Sequence, residues 1–127
     1  MDLNVFAIII GGLMYMLFGA FYYSPVLFGN KWAELNDVDL KEAGSKPFLA
    51  AFLVAFFNSL FIAILVQLTG TETVSEAILL GIVIGAILSF SYFKNMMFGL
   101  MKKSVFFIAI GDHVIILTLL SILHTFF

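Results

Sequence analysis

Four long apolar runs dominate this chain, and its six lysines fall in only two of the polar segments that separate them. Lys31, Lys41 and Lys46 lie between the first and second runs, and Lys94, Lys102 and Lys103 lie between the third and fourth. Lysine near the ends of membrane spans is retained on the cytoplasmic side, so this alternation predicts four transmembrane helices with both chain ends outside. Composition agrees: 63% of residues are hydrophobic and 11% are charged, against about 25% charged in soluble domains. A water-soluble fold of 127 residues could not bury that much apolar surface. The expected fold class is all-α, a four-transmembrane-helix bundle forming one integral membrane domain over residues 1–127, with the lipid bilayer as its medium.

Charge and composition exclude several functions. A net charge of −2, with every lysine already explained by topology, is no footprint for nucleic acid. The absence of cysteine removes disulfides, thiolate chemistry and thiol-ligated metals. The opening Met1-Asp2-Leu3-Asn4 lacks a positive n-region and the run behind it is too long for an h-region, so the first span is expected to be retained.

The stretch from Leu3 to Asn30 carries no charge. At about 1.5 Å per residue, its first twenty or so residues cross about 30 Å of hydrocarbon, which predicts a first helix near 3–23. Ser24-Pro25 ends it, since proline disfavours helical geometry in the residue before it and suits a new helical start. A short interfacial helix is expected near 25–36. Phe28, Trp32 and Leu35 recur there at three-to-four-residue spacing beside Lys31 and Glu34. Tyr22, Tyr23, Ser24, Pro25 and Trp32 are read as anchors in the interface. Asp39-Leu40-Lys41-Glu42 has the form of a capping box opening one more turn before Gly44-Ser45. Further spans are expected near 47–68, 75–95 and 104–126, with Thr69 to Thr73 as a short outer turn. Asp112 sits inside the last span at roughly 2.5–3.5 kcal/mol. Thirteen Val, Ile, Leu and Phe residues between Val105 and Leu123, at about −0.3 to −0.6 kcal/mol each, outweigh it.

Two ladders of small residues predict close helix packing. Ala51, Ala55, Ser59 and Ala63 are spaced by four on the second span, and Ala77, Gly81, Gly85 and Ser89 by four on the third. Lipid tails are as apolar as leucine, so membrane helices associate through the backbone approach that small residues permit. The second and third spans are expected to pair through these ladders, antiparallel across their short turn.

Any chemistry should sit where polarity is expensive. Asn58 lies eleven residues beyond Pro47 and Asp112 nine beyond Lys103, which places both on the order of 13–17 Å into the bilayer. Tyr15 and Gly85, nine residues before Ser24 and Lys94 on spans of opposite direction, reach the same level. A polar layer of Tyr15, Asn58 and Asp112 is therefore expected. Asp112 in that layer carries a proton or cation, or locks helices together by hydrogen bonding. His113 is rotated about 100° from Asp112 and is a candidate proton partner or interhelical donor. His124 shares a face with His113 but lies about 16 Å along the axis, too far to share a metal, and is expected as an amphipathic residue at the outer interface. Met96, Met97 and Met101 are read as adaptable packing, and Glu34, Asp37, Asp39 and Glu42 as caps and solvated charges. No phosphate loop, nucleophile elbow or zinc motif occurs. No enzyme activity, cofactor or metal is expected.

The order Tyr22-Tyr23-Ser24-Pro25, then Phe28-Gly29, then Trp32, followed by three further spans, resembles a domain-of-unknown-function family of small four-helix bacterial membrane proteins. The resemblance covers nearly the whole chain. Its aromatic-Tyr-Ser-Pro motif usually starts with Trp, from which Tyr22 departs, and its second recurring feature resembles Ile110-Gly111-Asp112-His113. The resemblance implies the fold and no activity. The expected location is the cytoplasmic (inner) membrane. Two functional readings follow from the residues: an oligomeric structural or accessory protein, or a small ion or solute carrier working through Asp112. Four short spans enclose little volume, so either reading favours a homo-oligomer. The first span lacks the glutamate that minimal four-helix multidrug carriers place there.

Overall fold

The computed structural model describes residues 1–127. Its chain order is α1 (Val5–Tyr22), α2 (Gly29–Leu35), α3 (Lys46–Thr69), α4 (Val74–Met97) and α5 (Lys103–Thr125), and there are no strands. All but α2 are long and apolar enough to cross a membrane, and the chain is a multi-pass membrane protein. Local chemistry sets the ends. Asn4 opens α1 by accepting the Ala7 N–H at 3.1 Å, and Pro47 stands in the first turn of α3. Gly70 closes α3 in the left-handed region at φ 63°. Thr73 and Glu76 then form a reciprocal capping box that starts α4.

The segment expected as a helix from 25 is a tight turn instead, and α2 begins only at Gly29. The N–H groups of Leu27 and Gly29 both donate to the Ser24 carbonyl, while the Phe28 N–H reaches back to the Tyr22 carbonyl at 3.1 Å. Proline at 25 cannot donate, so the chain satisfies this stretch by folding it onto the end of α1. Asp39 caps a single turn through the Lys41 N–H at 2.9 Å.

The bundle is organised around α5, which packs against α1, α3 and α4 and touches α2. Ile62 and Val66 of α3 meet Ile116, Leu117 and Leu120 of α5 in its core, with Met14, Phe18, Leu80 and Ile84 closing around them. The outer surface is apolar: Leu17 is 73% exposed and Phe90 75%, a surface suited to lipid. All six lysines collect at one end of the bundle, where Lys102 donates to the Leu35 carbonyl at the end of α2. The chain termini share the other end, where Gln67 donates to the Asp2 carbonyl at 2.7 Å.

Both small-residue ladders make close contacts, but not with each other. The second and third spans, α3 and α4, barely touch. Ser59 of the α3 ladder packs on Gly11 of α1, while Gly81 and Gly85 of α4 pack on Thr118 and Val114 of α5. The predicted pairing of α3 with α4 is thus corrected. A short turn makes two helices sequential neighbours, but a ladder of small residues takes whichever backbone comes closest, and here each ladder found a different one. Ala51, at the lysine end of α3, is exposed and lies outside the packed part of its ladder.

Candidate functional site

The end of α1 and the residue that follows it deliver two tyrosine hydroxyls to one turn of α5. Tyr22 donates to the Ile108 carbonyl at 2.7 Å and Tyr23 donates to Asp112 Oδ2 at 2.9 Å. The local sequence explains the aim. Phe28 folds back onto the Tyr22 ring with centroids 4.8 Å apart, and Trp32 meets Tyr23 edge-on at 5.7 Å. Gly29 lies directly against the Tyr23 and Ser24 carbonyls, where any Cβ would collide with backbone. The Tyr-Tyr-Ser-Pro, Phe-Gly and Trp elements thus form one folded unit, and Gly111 completes it from the other side. A Cβ at 111 would occupy the position of the Tyr22 hydroxyl.

Tyr22 and Tyr23 therefore differ from their expected role as belt anchors. Tyr22 is 6% exposed and both hydroxyls face protein. The physical reason is that helix α5 offers them a carbonyl and a carboxylate, stronger partners than headgroup water. Trp32 is half-buried behind Tyr23, and Pro25 is exposed. Ser24 acts through its backbone, for its carbonyl accepts two N–H groups while its buried hydroxyl oxygen has no partner.

Asp112 is 8% exposed and does not point into lipid. His113, although one residue on, brings Nδ1 to 3.8 Å from Asp112 Oδ2. That nitrogen is hydrogen-bonded to the Ala109 carbonyl at 2.7 Å, which requires it to carry the proton. Nε2 is then free to accept the Tyr92 hydroxyl at 3.4 Å. A chain of polar groups, Tyr23, Asp112, His113 and Tyr92, thus crosses from the connector through α5 to α4. Asp112 Oδ1 takes no donor from the chain. Tyr15 lies beside Asn58 and within electrostatic reach of Asp112, but neither residue is hydrogen-bonded to its carboxylate. Gly85 faces Val114 at this level and admits α4 close to α5.

His124 departs from its expected place at the interface. It is 7% exposed and turned inward, with Nε2 at 3.0 Å from Ser59 Oγ. Ser59 in turn donates to the Ile8 carbonyl at 2.8 Å, so this node joins α5, α3 and α1. Counting depth along the chain could not tell that α1 opens a gap at Gly11 for His124.

No curated protein and no solved structure matches the chain. The family described as protein of unknown function (DUF1761) matches residues 6–125, from the first turn of α1 to the last residue of α5, and the chain belongs to that family.

Proposed function

We propose that this chain is a non-enzymatic structural or accessory protein of the cytoplasmic membrane that works as a homo-oligomer, lysine end inward and both termini outside. The observation that carries the reading is the spending of the Tyr22 and Tyr23 hydroxyls on α5, one on Ile108 and one on Asp112. Hydrogen bonds of this kind set helix register in a medium that offers no competing water. Asp112 is then a fastening, and α4, packed chiefly on α5, leaves a wide apolar face for another copy. The orientation rests on the lysines, which favour the cytoplasmic face.

A second reading, a small ion or solute carrier coupled to protonation of Asp112, is favoured by one detail: Oδ1 is left without a donor while His113 stands 3.8 Å from Oδ2. Intramembrane carboxylates with an open oxygen mark ion pathways elsewhere. Proton and cation flux into proteoliposomes, compared between the wild type and Asp112→Asn, separates the two. The structural reading expects no flux from either protein and a weakened oligomer in the variant. Wild-type flux that Asp112→Asn abolishes would replace it with the carrier.

A further inference from the structure

The end of the bundle away from the lysines holds a second polar group with an unused acceptor. Ser59 has one hydroxyl proton, and its 2.8 Å contact with the Ile8 carbonyl, a group that only accepts, consumes it. The 3.0 Å contact between Ser59 Oγ and His124 Nε2 must then be donated by the histidine. The neutral ring is consequently the Nε2–H tautomer, with a bare lone pair on Nδ1. His113 is the opposite case, its Nδ1–H held by the Ala109 carbonyl. His124 makes no such bond to its own helix, and its Nδ1 has no partner in the chain.

A small cavity adjoins that ring. It measures about 20 Å³ and is lined by Asn4, Ala63, Gln67, His124 and Phe127. One water needs roughly 10–15 Å³ and two to four polar partners, and the amides of Asn4 and Gln67 with the imidazole supply three. Gln67 is exposed, so the cavity lies at the edge of the bundle and not in its dry centre. The core residues Ile62, Ile116 and Leu120, each at most 2% exposed, lie further toward the lysine end of α3 and α5.

We infer that His124 Nδ1 is a proton-binding site open to water only from the end of the bundle that carries the chain termini, with Asn4 and Gln67 holding the hydrating water and Ser59 fixing the tautomer. The groups facing the ring do not titrate: α1 presents Asn4, the Ile8 carbonyl and Gly11, and α3 presents Ser59, Ala63 and Gln67. On α5 itself the neighbour is Leu120, and α4, which packs along α5 with Gly81 on Thr118, brings to this end of the bundle Glu76, an exposed carboxylate held in its own capping box. Asp2, whose carbonyl accepts from Gln67, is the charged residue nearest by bonding. Asp112 lies twelve residues away, about 18 Å along the axis, so the site stands whichever reading of Asp112 holds.

The chain has two histidines, which makes nitrogen-15 NMR of histidine-labelled full-length protein in nanodiscs decisive, with His113→Gln assigning the signals. The expected spectrum near neutral pH shows opposite tautomers, Nε2–H at His124 and Nδ1–H at His113. Between about pH 8 and about pH 4, bracketing the ordinary imidazole value of about 6.5, the bare Nδ1 signal of His124 should vanish as both its nitrogens become protonated. Ser59→Ala should mix the two tautomers and keep the proton uptake, and Asp112→Asn should leave the His124 titration where it was. An Nδ1–H tautomer at His124, or ring signals unchanged across that range in the wild type, would overturn the assignment.

Discussion

Helix α5 buries a polar side chain at two levels, Asp112 near its middle and His124 in its last turn, and encloses them in different materials. At Asp112 the enclosure is backbone and aromatic rings: Gly29 lies on the Tyr23 carbonyl, and the Tyr22 hydroxyl fits into the gap at Gly111. At His124 the neighbours are the tips of side chains, Ser59 Oγ and a Leu120 methyl, with a cavity beside them. Backbone cannot yield without moving a helix, whereas side-chain tips have other rotamers. The first site should therefore be stiff and the second forgiving, although the same helix carries both.

The largest expected effect tests that contrast directly. Gly29→Ala drives a methyl into two backbone carbonyls and should cost about 3 kcal/mol, the upper range for overpacking. The nearest atoms that Gly11→Ala would meet belong to the Ser59, Leu120 and His124 side chains, and it should cost about 1 kcal/mol. Unfolding by sodium dodecyl sulfate in mixed micelles measures both. Equal costs would abolish the distinction between a backbone-walled and a side-chain-walled site.

A middle-sized effect concerns the hydrogen bonds. Tyr23→Phe removes the one hydroxyl that Asp112 accepts and should cost about 1.7 kcal/mol, the upper end for interhelical bonds in membranes, because it strands a buried carboxylate. Ser59→Ala removes a neutral bridge and should cost nearer 0.6 kcal/mol, about the membrane average. The same denaturation assay ranks them, and a larger loss at Ser59 would make the His124 node the principal fastening of the bundle.

The features legible in the sequence are those decided locally. Uncharged runs long enough for the bilayer and lysines confined to alternate connections are read one segment at a time, and α1, α3, α4 and α5 follow from them. Asp112 stood out for the same reason, as an unpaired cost inside a span. Partner choice was not local. The α3 ladder specified a close approach without naming α1 as the helix that would make it, and Trp32 read as an anchor in the interface when it in fact backs Tyr23. Depth counting followed Cα positions, so it paired Asp112 with Tyr15 and Asn58 and passed over Tyr23, whose long side chain reaches down from the end of α1. The one local clue was Gly111 beside Asp112, a missing side chain next to a buried charge.

That clue yields the smallest and sharpest expectation. Gly111→Ala alone should displace the Tyr22 hydroxyl from the Ile108 carbonyl, and Tyr22→Phe alone removes the same bond. Each should cost about 0.6 kcal/mol. The two losses are one loss counted twice: with phenylalanine at 22 there is no hydroxyl for the new methyl to strike, so the double variant should be about as stable as either single one. A double-mutant cycle in mixed micelles would then return a coupling close to the whole single-site effect. Additive costs would mean that Gly111 serves a contact other than Tyr22, and the closed site at the middle of α5 would have to be explained without the fit between that glycine and that hydroxyl.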